Sequence, residues 1–243
     1  MNSYCLIVPI YNHEGQFQPL AEKLARYQME CYLVDDGSSQ QCKAVIQKIT
    51  ERYSFLKLIT LGTNQGKGAA VCTALKSALA DGYTHAIQID SDGQHSPDDI
   101  PAFIAASERR PRAVISGFRP YDRLPPSRRR GRRLTDVWVC INTLSMAIRD
   151  SMCGFRLYPL KETVEVINTM FVGKRMDFDT DVLVKLYWTG MAVVHVPVSV
   201  EYKDGIPSHF ALWRDNLRIT RMHTKHFFGM LRRFPALIRR SDE

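Results

Sequence analysis

Five short apolar runs punctuate the first half of the chain: Tyr4 to Ile10, Cys31 to Val34, Leu56 to Leu61, Ala86 to Ile89 and Ala113 to Gly117. Their apolar residues are consecutive rather than alternating, the pattern of strands covered on both faces. Between them lie stretches with helical spacing. Gln16 to Met29 sets Phe17, Leu20, Leu24 and Tyr27 on one face, and Cys42 to Tyr53 continues as a helix. The helix opened by Asn64 to Ala70 turns Val71, Leu75, Ala78 and Leu79 inward, and Ile100 to Glu108 forms another. This alternation predicts an α/β fold with a doubly wound, mostly parallel central sheet flanked by helices. No internal repeat is visible.

In such a sheet, ligands gather outside the carboxyl ends of the strands. Those ends carry the polar chemistry of this chain. Tyr11-Asn12-His13-Glu14-Gly15 follows the first run, Asp35-Asp36-Gly37-Ser38-Ser39 the second, Asn64-Gln65-Gly66-Lys67-Gly68 the third, and Asp90-Ser91-Asp92-Gly93-Gln94-His95 the fourth. Asp90 and Asp92 offer hard oxygens that suit Mg2+ or Mn2+, ions that keep positions open for substrate phosphates. An isolated Asp-x-Asp also reads as a solvated acidic turn. The glycine loop can present N–H groups to a phosphate, with Lys67 adding charge, or can serve only a tight strand-to-helix turn. It is not a P-loop, because Gly62 and Gly66 enclose three residues and Gly68 follows Lys67. Ser96-Pro97-Asp98-Asp99 supplies an N-cap serine and acids for the next helix.

With 243 residues, 45% of them hydrophobic, the chain can bury a sizeable core. Six scattered cysteines without a CxxC pair point to a reducing compartment and no structural zinc. The strand-like run beginning at Tyr4 leaves no room for a signal peptide, and the twelve uncharged residues from Val137 to Ile148 fall short of the roughly 20 that span a bilayer. A cytoplasmic protein is expected. The net charge of +8 is concentrated in Arg119, Arg123, Arg128, Arg129, Arg130, Arg132 and Arg133 and again between Arg214 and Arg240, which implies acidic partners. Nucleic acid is disfavoured, since no aromatic-interleaved basic sheet or zinc pattern accompanies the charge.

In order and spacing, Val8-Pro9-Ile10-Tyr11-Asn12, Val34-Asp35-Asp36-Gly37-Ser38, the Asn64 to Gly68 loop and Asp90 to His95 resemble family-two glycosyltransferases with a GT-A nucleotide-sugar-binding fold. The similarity runs over residues 4 to 210 and is closest to the dolichol-phosphate or polyprenyl-phosphate sugar synthase branch. It implies that Pro9, Tyr11 and Glu14 line the nucleotide pocket, with His13 as an insertion relative to many relatives. Asp36, with Asp35 beside it, would hold the base and ribose. Lys67 and Ser91 would join the nucleotide-sugar site, and Asp90, Asp92 and Gln94 would take the metal and diphosphate. Gly117-Phe118-Arg119 looks like the Gly-Ser-Arg of this branch, whose arginine faces the acceptor phosphate.

Residues 119 to 133 read as a mobile arginine-dense loop or short linker, followed by an amphipathic helix from Leu134 to Ile148. Arg128 to Arg133 would clamp a lipid phosphate or lie on anionic headgroups at about 1 kcal/mol each, Arg133 being the candidate acceptor-phosphate residue; a solvated charge run is the alternative. Asp150 to Arg156 matches a motif shaping the acceptor side, where Arg156 either stabilises a phosphate or serves an ion pair. Phe178-Asp179-Thr180-Asp181 opens a helix, and Asp181 is the candidate base for a hydroxyl acceptor or else a helix N-terminal acid. Met191 to Val200 reads as a strand. Ser208 and His209 stand where the lipid-phosphate synthases carry Gly-x-Ser-Lys, His209 replacing the lysine. Ala211 to Arg240 is a basic amphipathic helix with Trp213, Leu217, Phe227, Leu231 and Phe234 roughly on one face, which either lies in a bilayer interface or packs on the domain. Pro235 should kink or end it.

These residues lead to a catalytic domain over 1–210 and a basic helical tail over 211–243. The expected activity is inverting, metal-dependent transfer of a sugar from a UDP- or GDP-sugar to polyprenyl phosphate or another lipid acceptor. Asp92, Asp181, Arg119 and Arg156 are its candidate catalytic residues. The enzyme would sit peripherally on the inner face of the plasma membrane. A hydroxyl acceptor is the alternative within the class, and a nucleotidyltransferase the alternative outside it.

Overall fold

The computed structural model describes residues 2–120, 126–201 and 212–240. The consecutive apolar residues of the first run are buried from Cys5 to Ile10 and form the central strand β1 (Tyr4–Ile10). Alternate residues of β1 feed two cores. Cys5 and Ile7 join Tyr32, Val34, Ala74, Leu75 and Leu183 on one side of the sheet, and Leu6, Val8 and Ile10 join Phe17, Leu20, Leu33, Ile46 and Phe103 on the other. That two-sided burial is why the run shows no polar alternation.

β1 pairs in parallel with β2 (Cys31–Asp35) and β4 (His85–Gln88), and β2 with β3 (Leu56–Thr60). β5 (Val114–Phe118) pairs in parallel with β7 (Val193–Pro197). Between β4 and β5 lies β6 (Arg156–Pro159), antiparallel to both, giving the order β3-β2-β1-β4-β6-β5-β7. Neither β6 nor the helix after it is evident in the sequence reading, because four residues including an arginine carry little periodic signal. Arg156 is fully buried opposite Gln88 and Ser116.

The helices are α1 (Glu14–Leu24), α2 (Gln40–Arg52), α3 (Lys67–Ala80), α4 (Ile100–Arg109), α5 (Pro126–Thr143), α6 (Leu160–Thr169), α7 (Phe178–Trp188) and α8 (Leu212–Ile238). The arginine-rich stretch expected as a loop is therefore helical from Pro126, and the helix ends at Thr143 rather than Ile148. Proline suits a first helical turn and arginine is a good helix former, so this segment needs no apolar stripe to be helical. Pro235 does not end α8, which runs on to Ile238. The expected boundary between domain and tail falls outside the described residues, but α8 itself packs on α5 and α7.

Candidate active site

The carboxyl ends of β1 to β4 bring the four polar clusters to one edge. Asn12, in the left-handed region at φ 52°, accepts the Ser39 N–H at 2.8 Å through its side chain, and its own N–H donates to Ser38 Oγ at 3.1 Å. Pro9 is buried in β1, while Tyr11 and Glu14 stand half-buried at the mouth. Asp36, expected to hold base and ribose, is committed to the protein. Its two oxygens accept the Gln65 and Gly66 N–H groups at 2.7 and 2.8 Å, pinning the β3–α3 loop. Burial raises its carboxyl above the usual range despite those two donors. Gly37 (φ 74°) permits the clasp, since a Cβ there would meet Asn64 N at 2.5 Å. Its neighbour Asp35 is the acid with capacity to spare: Oδ1 accepts the Ser38 N–H at 2.9 Å and Oδ2 is buried with no hydrogen bond.

At the head of α3, Lys67 reaches across the edge to two acids. Its Nζ lies 2.8 Å from Asp90 and 2.8 Å from Asp179 Oδ2. Burial works against the ammonium, but the Asp179 and Asp90 carboxylates outweigh it and hold the lysine pKa above its usual value. The same ammonium keeps Asp90 below the usual carboxylate range against the effect of burial. Asp179 Oδ1 accepts from Gln88 Nε2 at 3.1 Å, and Gln88 Oε1 accepts the Tyr158 hydroxyl at 3.1 Å. A buried polar chain thus runs from Asp90 into the sheet. Gly154 closes one side, where a Cβ would lie 2.6 Å from Lys67 Nζ and 2.7 Å from Asp90 Oδ2.

Ser91 is buried, and Asp92 is half-buried with Oδ1 accepting the Gln94 N–H at 3.0 Å. The Gln94 carbonyl accepts the Glu201 N–H at 2.9 Å. His95, buried against the Phe155 ring with its centroid 5.4 Å away, is held neutral by that burial, its pKa lowered to about 4. No group of three metal-ligating side chains occurs among the described residues. A divalent ion nevertheless fits the donor set. Asp90 Oδ1 is buried with no hydrogen bond, its neighbour being the Lys67 ammonium at 2.8 Å, Asp92 is half-buried, and Mg2+ or Mn2+ bound to two carboxylates takes its remaining ligands from phosphate and water.

A basic grip borders this acidic edge. Asp150 is completely buried and accepts from Arg119 three times, from the backbone N–H at 3.1 Å, Nε at 2.9 Å and Nη2 at 3.0 Å. Arg132 of α5 lies 3.4 Å from the same carboxylate and donates to the Arg119 and Arg149 carbonyls. These guanidinium groups lower the Asp150 pKa although burial opposes them. The loop from Asp150 to Gly154 therefore joins the arginine grip to Asp90. Arg132 falls within the expected Arg128 to Arg133 clamp, but nothing in the sequence distinguishes it among seven arginines; its neighbour Arg133, the candidate of that run, is exposed. Arg156, expected to stabilise a phosphate, is turned away from this edge: it donates to the Asp179 and Ser151 carbonyls inside the protein.

Asp181 lies in another network. One oxygen meets His226 Nε2 of α8 and Lys185 Nζ, both at 2.5 Å, and the other accepts the Gly173 N–H at 2.6 Å. It is Asp179, two residues earlier and so on a different face of α7, that enters the cluster with Asp90. Spacing alone does not choose between the two acids. Ser208 and His209 lie outside the described residues.

A mostly parallel sheet with one antiparallel strand, bearing two carboxylates beside a glycine loop at its carboxyl edge, is the GT-A architecture of nucleotide-diphospho-sugar transferases. The chain belongs to glycosyl transferase family 2, whose model matches residues 5–180. It is a glycosyltransferase, and the nucleotidyltransferase alternative falls. It is 24% identical over 217 residues to a UDP-N-acetylglucosamine--dolichyl-phosphate N-acetylglucosaminyltransferase of Methanococcus voltae, covering 82% of this chain and 86% of that protein. Among solved structures it resembles glucosyl-3-phosphoglycerate synthase of Mycobacterium tuberculosis in complex with Mn2+, UDP-glucose and phosphoglyceric acid (TM-score 0.67, 12% identity, 93% of this chain and 80% of that one). It also resembles a Pyrobaculum calidifontis mannosyltransferase in complex with GDP-mannose and Mn2+ (TM-score 0.62, 17% identity, 94% of this chain and 64% of that one).

Proposed function

We propose that this glycosyltransferase moves a sugar from a UDP- or GDP-sugar to a polyprenyl-type lipid phosphate, with inversion and with Mg2+ or Mn2+, at a membrane surface. One observation carries the reading: Arg119 and Arg132 are gathered on a fully buried carboxylate beside the Asp90 edge. That arrangement suits an anionic acceptor. A lipid phosphate is already ionised at neutral pH, so no base is needed, and the acids in the first turn of α7 are not placed to be one. Asp179 is held by Lys67 and Gln88, and Asp181 by His226, Lys185 and the Gly173 N–H. The name of the Methanococcus relative, with its dolichyl-phosphate acceptor, supports the same class.

In this reading Asp90 and Asp92 hold the divalent ion, which when bound neutralises the leaving diphosphate as a Lewis acid. Lys67 adds a cation on the donor side, Asp35 supplies the unpaired buried oxygen beside the nucleoside pocket, and Arg119, backed by the buried Arg132, faces the acceptor phosphate on the opposite side of the sugar. One phosphate oxygen then forms the bond to the anomeric carbon as the bond to the nucleoside diphosphate breaks, which inverts that carbon.

Membrane contact would come from α8 and α5. Met222, His223, His226, Met230 and Leu237 of α8 are buried against the domain, while Trp213, Leu217, Phe228, Leu231 and Ile238 form a separate exposed stripe, Trp213 at 92%. Arg214, Arg221, Lys225, Arg232 and Arg239 run beside it. Leu134, Val137, Trp138 and Ile141 of the adjoining α5 are exposed as well. An apolar stripe flanked by a basic one fits an anionic bilayer. No helix among the described residues is long and apolar enough to cross a membrane. The protein would then act on the cytoplasmic side, peripherally at the inner face of the plasma membrane.

The test is nucleoside-diphosphate release from a panel of UDP- and GDP-sugars, with Mn2+ or chelator and with or without polyprenyl phosphate. Release that requires lipid phosphate and metal and is lost in Asp92→Ala is expected. Donor turnover indifferent to lipid phosphate but dependent on a glycan or lipid hydroxyl would overturn the acceptor assignment. Absence of any nucleotide-sugar binding by calorimetry would overturn the whole reading.

A further inference from the structure

Resting on that reading, we infer that Lys67 is a built-in counter-ion for the metal carboxylate, so that donor nucleotide and divalent ion bind by mutual assistance and the ion alone binds poorly. The Lys67 ammonium lies 2.8 Å from both Asp90 oxygens and 2.8 Å from Asp179 Oδ2. It is not a passing surface contact. The lysine side chain is 19% exposed and Asp179 9%, and the backbone at Gly154 walls the ammonium in, leaving no space even for a methyl group. Asp179 is in turn fixed by Gln88. The cation is thus anchored at its far side while its near side occupies the acid that a metal would use.

A divalent ion arriving at Asp90 and Asp92 without nucleotide meets this fixed positive charge at the same carboxylate, and like charges repel strongly where water is scarce. A nucleoside diphosphate changes that balance, because its phosphate oxygens attract both the ammonium and the ion. Lys67 then turns part of its hydrogen bonding to the donor and leaves Asp90 to the metal, Asp179 keeping its position. Coupling between two ligands is reciprocal, so metal tightens nucleotide by the factor with which nucleotide tightens metal. The structural basis lies in two chain segments far apart in sequence, the α3 start and the α7 start, that pack together and place this ammonium between their acids.

The experiment is titration of Mn2+ into the full-length protein, free Mn2+ being read by electron paramagnetic resonance, with and without UDP or GDP. In wild type, the nucleotide is expected to tighten Mn2+ by on the order of tenfold or more. Lys67→Met removes the competing cation and should tighten nucleotide-free Mn2+ by about tenfold while shrinking the coupling. Asp179→Asn makes the pocket more positive and should shift nucleotide-free Mn2+ affinity the other way. Equal Mn2+ affinity with and without nucleotide in wild type would overturn the inference, as would unchanged or weaker nucleotide-free affinity in Lys67→Met or tighter affinity in Asp179→Asn. The wild-type titration stands even where a variant does not fold. If neither UDP nor GDP binds under any condition, the transferase reading itself fails. If nucleotide and Mn2+ bind together but the two variants do not move in opposite directions, the counter-ion role alone falls.

Discussion

Arg119 and Arg133 look alike in the sequence and differ in the fold. Arg119 is fixed by three hydrogen bonds to Asp150 and remains partly open, its side chain 18% exposed, while Arg133 projects from an exposed face of α5. Arg119→Gln should raise KM for the lipid phosphate at least tenfold, since a charge-assisted hydrogen bond contributes about 1.5–3 kcal/mol. Arg133→Gln should leave KM within about twofold, as surface charges contribute little. Steady-state kinetics against acceptor concentration decides between them, and equal effects would remove the special standing of Arg119. Gly154 makes a sharper case. An alanine there would place its Cβ 2.6 Å from Lys67 Nζ and 2.7 Å from Asp90 Oδ2, displacing both groups. Activity should fall about a hundredfold, the usual cost of misplacing reacting groups by roughly an ångström. Thermal melts of Gly154→Ala would separate that loss from unfolding.

At the scale of the element, α8 is the segment whose attachment depends on protonation. His223 Nδ1 lies 3.1 Å from Asn142 Nδ2, its ring stacks on Trp138, and His226 and, farther off, Asp181 face it from the same interface. Burial lowers the His223 pKa to about 4 from 6.5. The unfolded chain therefore takes up a proton in a range where the folded one does not. Stability is at its full value above pH 6.5 and is lost as pH falls toward 4, by about 3 kcal/mol for this one residue. His95, also lowered to about 4 by burial, adds a loss of the same sign. Denaturant melts between pH 7 and 4.5 should show this decline, and His223→Gln should flatten it without abolishing it. An unaltered pH slope in the variant would mean that His223 does not titrate as its burial dictates.

For the molecule as a whole, the question is how a lipid acceptor would reach the arginine grip. Arg132 ties α5 to the arginine grip, and α5 packs on α8, so the site and the helix bearing the exposed apolar stripe are joined through one line of contacts. Replacing Trp213, Leu217 and Phe228 together with serine removes three large apolar groups, each contributing about 2 kcal/mol when buried. Co-sedimentation with phosphatidylserine-containing vesicles should fall more than tenfold in the triple variant. Binding of the wild type should weaken with salt and should be poor on neutral vesicles. Vesicle binding unchanged by the three substitutions would leave α8 as a packing helix only.

Much of this protein is written locally. The consecutive apolar runs determine two-sided strands, and their spacing with helical stretches determines a parallel α/β sheet, because burial on both faces leaves no other use for them. The Asp-x-Asp cluster and the glycine loop, each following a strand, mark the candidate ligand edge, because in an open parallel sheet ligands sit outside the carboxyl ends of the strands. Tertiary structure decided the rest. Asp35 and Asp36 are adjacent, and only the approach of the β3–α3 loop commits Asp36 to backbone donors while Asp35 keeps a buried oxygen without a hydrogen bond. Asp179 and Asp181 share one helical turn, and only the positions of α3 and α8 send one to Lys67 and the other to His226. The antiparallel β6 carries almost no pattern of its own, yet it buries Arg156 beneath Asp179. A residue's type sets what it can bind, but which partner it meets depends on segments distant in the chain, whose approach no local periodicity encodes.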